Sequence, residues 1–113
     1  MIRLLLFAFV VCASSGCSQS VPDLEGVHLI KFYADWCGPC KTQKPAVDRL
    51  EKRYADEVNF LHIDVDAEQS IAQEFEVQSI PCIIIVVDGH IKKKFIGVQS
   101  YSRLAGELEK HIQ

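Results

Sequence analysis

Residues 33–41 read Tyr33-Ala-Asp-Trp-Cys-Gly-Pro-Cys-Lys41, two cysteines three positions apart around a Gly-Pro pair. The pair follows an apolar, β-branched run at 27–33, "VHLIKFY", bounded by Gly26 and broken by one charge, Lys31, which reads as a buried strand. Downstream, Ala46, Val47, Leu50 and Tyr54 recur at helical spacing, while Asp48, Glu51, Lys52 and Arg53 take the other face. A helix is therefore predicted from Gly38 to about Tyr54, kinked at Pro45. Cys37 stands where the strand hands over to the helix.

Three chemistries use this spacing. A zinc site needs four ligands, normally from a second Cys or His pair, and only Cys82 and the scattered His28, His62, His90 and His111 remain. A permanent staple closing so short a loop would remove little entropy from the unfolded chain. Redox chemistry fits the placement: a sulfur at a helix N-terminus faces unpaired N–H groups and the positive end of the dipole, which favour thiolate over thiol. Cys40, one turn along, reaches the same sulfur. Pro39 fixes the backbone, and Gly38 keeps the approach uncrowded.

The rest of the chain predicts an α/β domain of about four strands with helices on both faces. Residues 58–65, "VNFLHIDV", alternate Leu61, Ile63 and Val65 against His62 and Asp64 as a second strand, followed by a short helix at 68–75. Residues 81–87 and 91–96 flank Asp88-Gly89, a strong hairpin signal. Residues 101–112 close the chain as a helix, N-capped by Ser100, with Leu104, Leu108 and Ile112 on one face. The order β-α-β-α-β-β-α requires a right-handed crossover between the first two strands.

This ordered set resembles the thioredoxin family. "FYADWCGPCK" is similar to its active-site segment, Pro45 to its helix kink, "SIP" at 79–81 to its cis-proline loop, Asp88-Gly89 to its hairpin and Gly97 to its glycine near the active site. The likeness covers residues 27–113. It implies a thiol:disulfide oxidoreductase, reducing protein disulfides, with Cys37 as the exposed nucleophile and Cys40 as the shielded resolving thiol. It further implies a cis Pro81, substrate pairing along the Ile80 backbone, and an apolar contact surface of Trp36, Gly38, Pro39, Ile80 and Gly97. The redox pair Cys37–Cys40 would itself be the functional centre, with no cofactor or metal. An oxidase or isomerase, a metal-handling module and a non-catalytic interaction domain on the same fold are the alternatives.

Two departures from the family pattern stand out. Its first strand and helix are missing or vestigial, which would leave strand 58–65 as an open edge. Lys31 falls where thioredoxins carry a buried Asp beneath the cysteines. A charged lysine there would stabilise thiolates, a neutral one could act as a base, and Asp64 is its expected ion-pair partner; snorkelling to the sheet edge is the alternative. Cys82, in an apolar strand, reads as a small buried hydrophobe rather than a third redox thiol.

Outside the domain, residues 1–16 have a secretory layout: Arg3 in a short positive region, an apolar run at 4–13, and the small residues Ser14-Ser15-Gly16. Ten apolar residues in helix span about 15 Å, half of the roughly 30 Å hydrocarbon core, which favours a cleaved signal over a membrane span. Small residues before Cys17 resemble the bacterial lipoprotein signal, in which that cysteine is lipidated; residues 17–26 would form a short linker. The expected setting is the periplasm or cell envelope. Expected partners are disulfide-containing envelope proteins, including misoxidised proteins or apocytochrome thiols, and a membrane-embedded thiol-electron carrier as donor. With 12 basic and 15 acidic residues, a nucleic-acid partner has no electrostatic support. The one basic run, Lys92-Lys93-Lys94, reads as a solvated strand end.

Overall fold

The structure, a computed structural model, describes residues 24–112. The expected leader 1–16, Cys17 and most of the linker lie outside the described residues. Seven elements follow in the expected order: β1 Val27–Tyr33, α1 Gly38–Tyr54, β2 Val58–Asp64, α2 Gln69–Glu74, β3 Cys82–Val87, β4 His90–Ile96 and α3 Tyr101–Glu109. The last helix ends three residues short of the expected Ile112, which still packs against the core just beyond the following turn.

The strands form one mixed sheet in the order β2-β1-β3-β4, with β1 parallel to β2 and antiparallel to β3. Side-chain alternation divides the interior into two layers. On one face Leu29, Ile83, Ile85 and Phe95 meet Val47 and Leu50 of α1 and Leu104 and Leu108 of α3. On the other, Ile30, Phe32, Ile84 and Val86 meet Ala72, with Ile71 and Phe75 at the margin. β1 and β3 are buried on both sides, which is why their sequences are nearly continuous apolar runs.

Asp88 (φ 50°) and Gly89 (φ 82°) form the hairpin turn, both with positive φ as the short turn matching strand twist requires. The Asp88 carboxylate accepts from the Gly26 amide at 2.8 Å, and the Asp88 amide donates to the Gly26 carbonyl at 2.9 Å, fixing the entry to β1. A bulge at Lys92 shifts the register, since Ile85 pairs with Lys93 but Val86 with Ile91. Lys94 departs from the expected solvated lysine run: it is half-buried, and its ammonium donates to the Phe75 and Glu76 carbonyls at 3.2 and 2.8 Å. Those carbonyls end α2, where a cation is favourably placed.

Among the described residues β2 pairs only with β1 and is the outer strand of the sheet, as expected. Its apolar face is less buried than its alternation implies. Ile63 sits against the α2 layer, but Leu61 is 37% exposed, because α2 does not reach along the strand to cover it.

Gln43 was not anticipated. It occupies the inward stripe of α1, four and seven residues before Val47 and Leu50, and is fully buried. Its side chain closes a two-hydrogen-bond ring with Gln99, donating to the carbonyl at 3.0 Å and accepting from the amide at 2.7 Å. The ring ties α1 to the segment after β4. Gln43→Ala should cost about 2–3 kcal/mol in urea unfolding, because it strands two backbone groups as well as opening a cavity. A loss below about 0.5 kcal/mol would show that the ring does not hold that segment.

Candidate functional site

At the C-terminal end of β1 the chain turns through Ala34, Asp35 and Trp36, and the Cys37 amide donates back to the Ala34 carbonyl at 3.2 Å. This turn delivers Cys37 as the N-cap of α1, with extended backbone (φ −89°, ψ 109°). Its Sγ takes the place usually filled by a Ser or Asp oxygen and accepts from the Cys40 amide at 3.1 Å. Gly38 and Pro39 occupy the first two helical positions, where a missing N–H costs no hydrogen bond. Cys37 and Cys40 are joined by a disulfide across a Cα–Cα distance of 5.3 Å.

The expected contrast in exposure is absent. Cys37 is 3% and Cys40 5% exposed. In the disulfide form both cysteines share a buried cluster with Ala34, against which Tyr33, Val65 and Ile80 pack. What separates the two cysteines is electrostatic: only Cys37 lies at the N-cap, facing the helix dipole.

The remaining predicted residues fall around this pair. The Ile80–Pro81 peptide bond is cis, and the Pro81 carbonyl accepts from the Gly97 amide at 2.9 Å. Gly97 takes φ 92°, which favours glycine there. Ile80 packs against the disulfide, and its own amide and carbonyl make no hydrogen bond among the described residues. Trp36 is 70% exposed, yet fixed, because its indole N–H donates to the Asp66 carboxylate at 2.7 Å. Gly38 and Pro39 are exposed beside it.

Ile96 and Val98, flanking Gly97, are exposed apolar residues that the sequence reading assigned no role. At a strand end such residues are indistinguishable from core. Asp66 was equally unforeseen, since an acidic residue after a strand carries no distinctive signal. Gln43 did leave one: a polar residue on an otherwise apolar helical stripe.

Lys31 lies on the α1 face of β1 and is only 6% exposed, so it does not snorkel to the sheet edge. The expected pair with Asp64 does not form. Lys31 is in register with His62, whereas Asp64 is opposite Tyr33 and spends its carboxylate on the Asp66 and Ala67 amides at 2.9 and 3.4 Å. The Lys31 ammonium sits 5.3 Å from the Tyr33 ring centre and has no ion-pair partner among the described residues. Burial pushes its pKa below the usual lysine range; Asp48 and Glu51 oppose that shift, and Lys44 adds to it. The residue lines a cavity of about 340 Å³ that also reaches Cys40.

Cys82 is a free thiol with no exposed surface, directed into the α2 layer and away from the disulfide. Burial pushes its pKa up, and Lys94 offsets this only in part. Among the described residues no group of three or more His, Cys, Asp or Glu side chains comes together to hold a metal, so the metal-handling alternative has no ligand set there. The Cys37–Cys40 disulfide is the functional centre.

Comparison with known proteins agrees with this geometry. The thioredoxin family model matches residues 9–110. A thioredoxin from Staphylococcus saprophyticus is 44% identical over 88 residues, covering 78% of this chain and 85% of its own, and one from Staphylococcus aureus is 41% identical over the same spans. Among solved structures, a thioredoxin from Nicotiana alata superposes with a TM-score of 0.74 at 33% identity, covering 81% of this chain and 78% of its own. Mitochondrial thioredoxin 3 from Saccharomyces cerevisiae, in its oxidized form, gives 0.70 at 35% identity, covering 76% and 79%. With its sulfur-capped helix, its disulfide and its cis-proline loop, this chain belongs to the thioredoxin family and is a thiol:disulfide oxidoreductase.

Proposed function

We propose that this oxidoreductase works in the reducing direction on protein disulfides outside the cytoplasm, tethered through Cys17. The observation carrying the chemistry is the hydrogen bond from the Cys40 amide to Cys37 Sγ at the head of α1. Once the disulfide is reduced, that N–H and the helix dipole favour the Cys37 thiolate, the species that attacks.

The reaction then proceeds by two exchanges. The Cys37 thiolate attacks one sulfur of a substrate disulfide; a Cys37–substrate bond forms, and the other substrate sulfur leaves as a thiolate that takes a proton from water. Cys40 next attacks Cys37 Sγ, forming the Cys37–Cys40 disulfide and releasing the second substrate sulfur with its electron pair. The substrate has gained two electrons, and the protein has lost them. Pro81 and Gly97 support a groove in which the unpaired Ile80 backbone pairs with an extended substrate segment, as an open strand edge would. Trp36 adds exposed apolar surface, with Ile96 and Val98 beside Gly97.

Gly-Pro between the cysteines, shared in kind with the reducing members of the family, supports reductase over oxidase or isomerase. The export reading rests on residues 1–17. An exported reductase needs electrons from a membrane-embedded thiol carrier, and envelope proteins with mispaired disulfides, or apocytochromes whose thiols have become oxidised to a disulfide, are the chemistry it would serve.

Three outcomes follow. In an insulin reduction assay the reduced wild type should be active, Cys37→Ser should fall to background, and Cys40→Ser should accumulate a mixed disulfide through Cys37 without turnover; activity retained in Cys37→Ser would overturn the mechanism. Iodoacetamide should label Cys37 in the native reduced protein and leave Cys82 unmodified until the chain is unfolded, because burial both blocks and protonates that thiol. Produced in bacteria, the full chain should partition with membranes and incorporate labelled fatty acid, and Cys17→Ser should release it; unlabelled wild type in the soluble fraction would remove the tether.

A further inference from the structure

A buried lysine without a counter-ion needs an explanation. Moving an ammonium out of water costs several kcal/mol unless it is paired, and residues at this depth are normally apolar. Lys31 stands among Leu29, Ile83 and Ile85 on the sheet face that α1 covers, and what it reaches is the cavity it shares with Cys40. Cys40, Lys44 and Asp48 line it from α1, and Tyr33, the last residue of β1, and the following Ala34 line it from the sheet.

The other charges around that cavity offset the ammonium only in part. Asp48 is paired with Lys44 at 2.8 Å, and Glu51 contacts His62 at 3.0 Å. Asp35 and Lys41 at the mouth are exposed, where solvent screens them. Lys31 is thus the buried unpaired cation among these groups, and Cys40 is the buried wall residue that can become an anion.

We propose that Lys31 is a positioning residue for the resolving step: its ammonium favours the thiolate of Cys40 across the shared cavity, stabilising the reduced dithiol and making this couple more oxidising than it would be without the charge. The inference rests on the oxidoreductase reading of Cys37 and Cys40. In the step itself Cys40 has already lost its proton to solvent. Its thiolate attacks Cys37 Sγ of the mixed disulfide, the Cys37–Cys40 bond forms, and the Cys37–substrate bond breaks with its electron pair on the substrate sulfur. Lys31 transfers nothing; it lowers the cost of the charge on Cys40.

The pH dependence follows from the sign of the interaction. At low pH Cys40 is a thiol with or without Lys31, and the charge has nothing to stabilise. The effect appears as pH rises through the ionisation of Cys40 and fades as Lys31 deprotonates, which burial brings down from the ordinary lysine range. His62, with Glu51 behind it at 3.0 Å, and the Lys44–Asp48 pair also border the cavity, but they remain the same in a Lys31 variant.

The test compares wild type with Lys31→Met and Lys31→Gln, both neutral and similar in length, and with Lys31→Arg, which keeps the charge. Each is equilibrated with glutathione buffers at about pH 6 and about pH 8.5. At the higher pH the neutral variants should favour the disulfide by roughly three- to tenfold over wild type, about 15–30 mV for a two-electron couple, and Lys31→Arg should restore most of it. At the lower pH all should coincide. The Cys40 Cβ resonance of reduced Lys31→Met should titrate about one unit higher than in wild type. Removing an unpaired buried charge should not destabilise the fold, so Lys31→Met is expected to unfold in urea at or above the wild-type midpoint. Equal potentials at about pH 8.5, or a difference independent of pH, overturn the role of Lys31 while leaving the oxidoreductase intact. A wild-type protein that does not exchange with glutathione overturns both.

Discussion

The structure turns on one unusual helix cap. Most helices begin with an oxygen accepting from an otherwise orphaned N–H, a contact worth about 1 kcal/mol. Here the acceptor is Cys37 Sγ. A neutral sulfur is a poor acceptor and a thiolate a good one. The same N–H that the helix must satisfy therefore rewards the charged, nucleophilic form, and the need to cap α1 becomes the means of activating the cysteine. Moving the cysteine one residue in either direction would leave the helix and lose this coupling.

The rest of the fold holds that junction at a fixed height above the sheet. β1 is buried on both faces between β2 and β3, so its C-terminal end cannot drift. The segment carrying cis Pro81 enters β3 directly, and β3 pairs with β1, which brings Ile80 against the disulfide. Gly97 leaves β4 with its amide on Pro81, and Gln43 anchors the following Gln99 to α1. The loops that face substrate are each tied to an element that also carries the cysteines, so the site is rigid where it reacts and exposed where Trp36 and Ile96 meet solvent.

The legible parts of this arrangement are those where one local signal decides the outcome. The CxxC at a strand–helix boundary, Asp88-Gly89 at the hairpin and Ser100 as the α3 cap each act within a few residues, and all three are found where the sequence places them. Illegible were the contacts between residues far apart in the chain. Trp36 to Asp66, Gln43 to Gln99 and Lys94 to the α2 carbonyls each depend on how separate elements are stacked. The expected Lys31–Asp64 pair failed for the same reason. The place of Asp64 two residues beyond His62, where the family pattern has the buried residue's neighbour, suggested a partner, but Asp64 had a closer demand from the turn amides that follow it. Leu61 illustrates the converse, since its alternation signalled burial and only a covering element could have delivered it.

Three cysteines of the domain show how position alone sorts one functional group into different chemistries. Cys82 follows Pro81 immediately, yet strand alternation turns it into the α2 layer, where desolvation holds the proton on and excludes any partner sulfur. Cys37 has a comparably small exposed surface, but its sulfur meets a hydrogen-bond donor and a helix terminus rather than an apolar layer. Cys40 lies inside the first turn of the helix, with its own amide given to Cys37 and a cavity at its back. The buried charge that this cavity brings to it is a lysine. Helix terminus, hydrophobic layer and cavity cation thus give three different surroundings to side chains of identical composition.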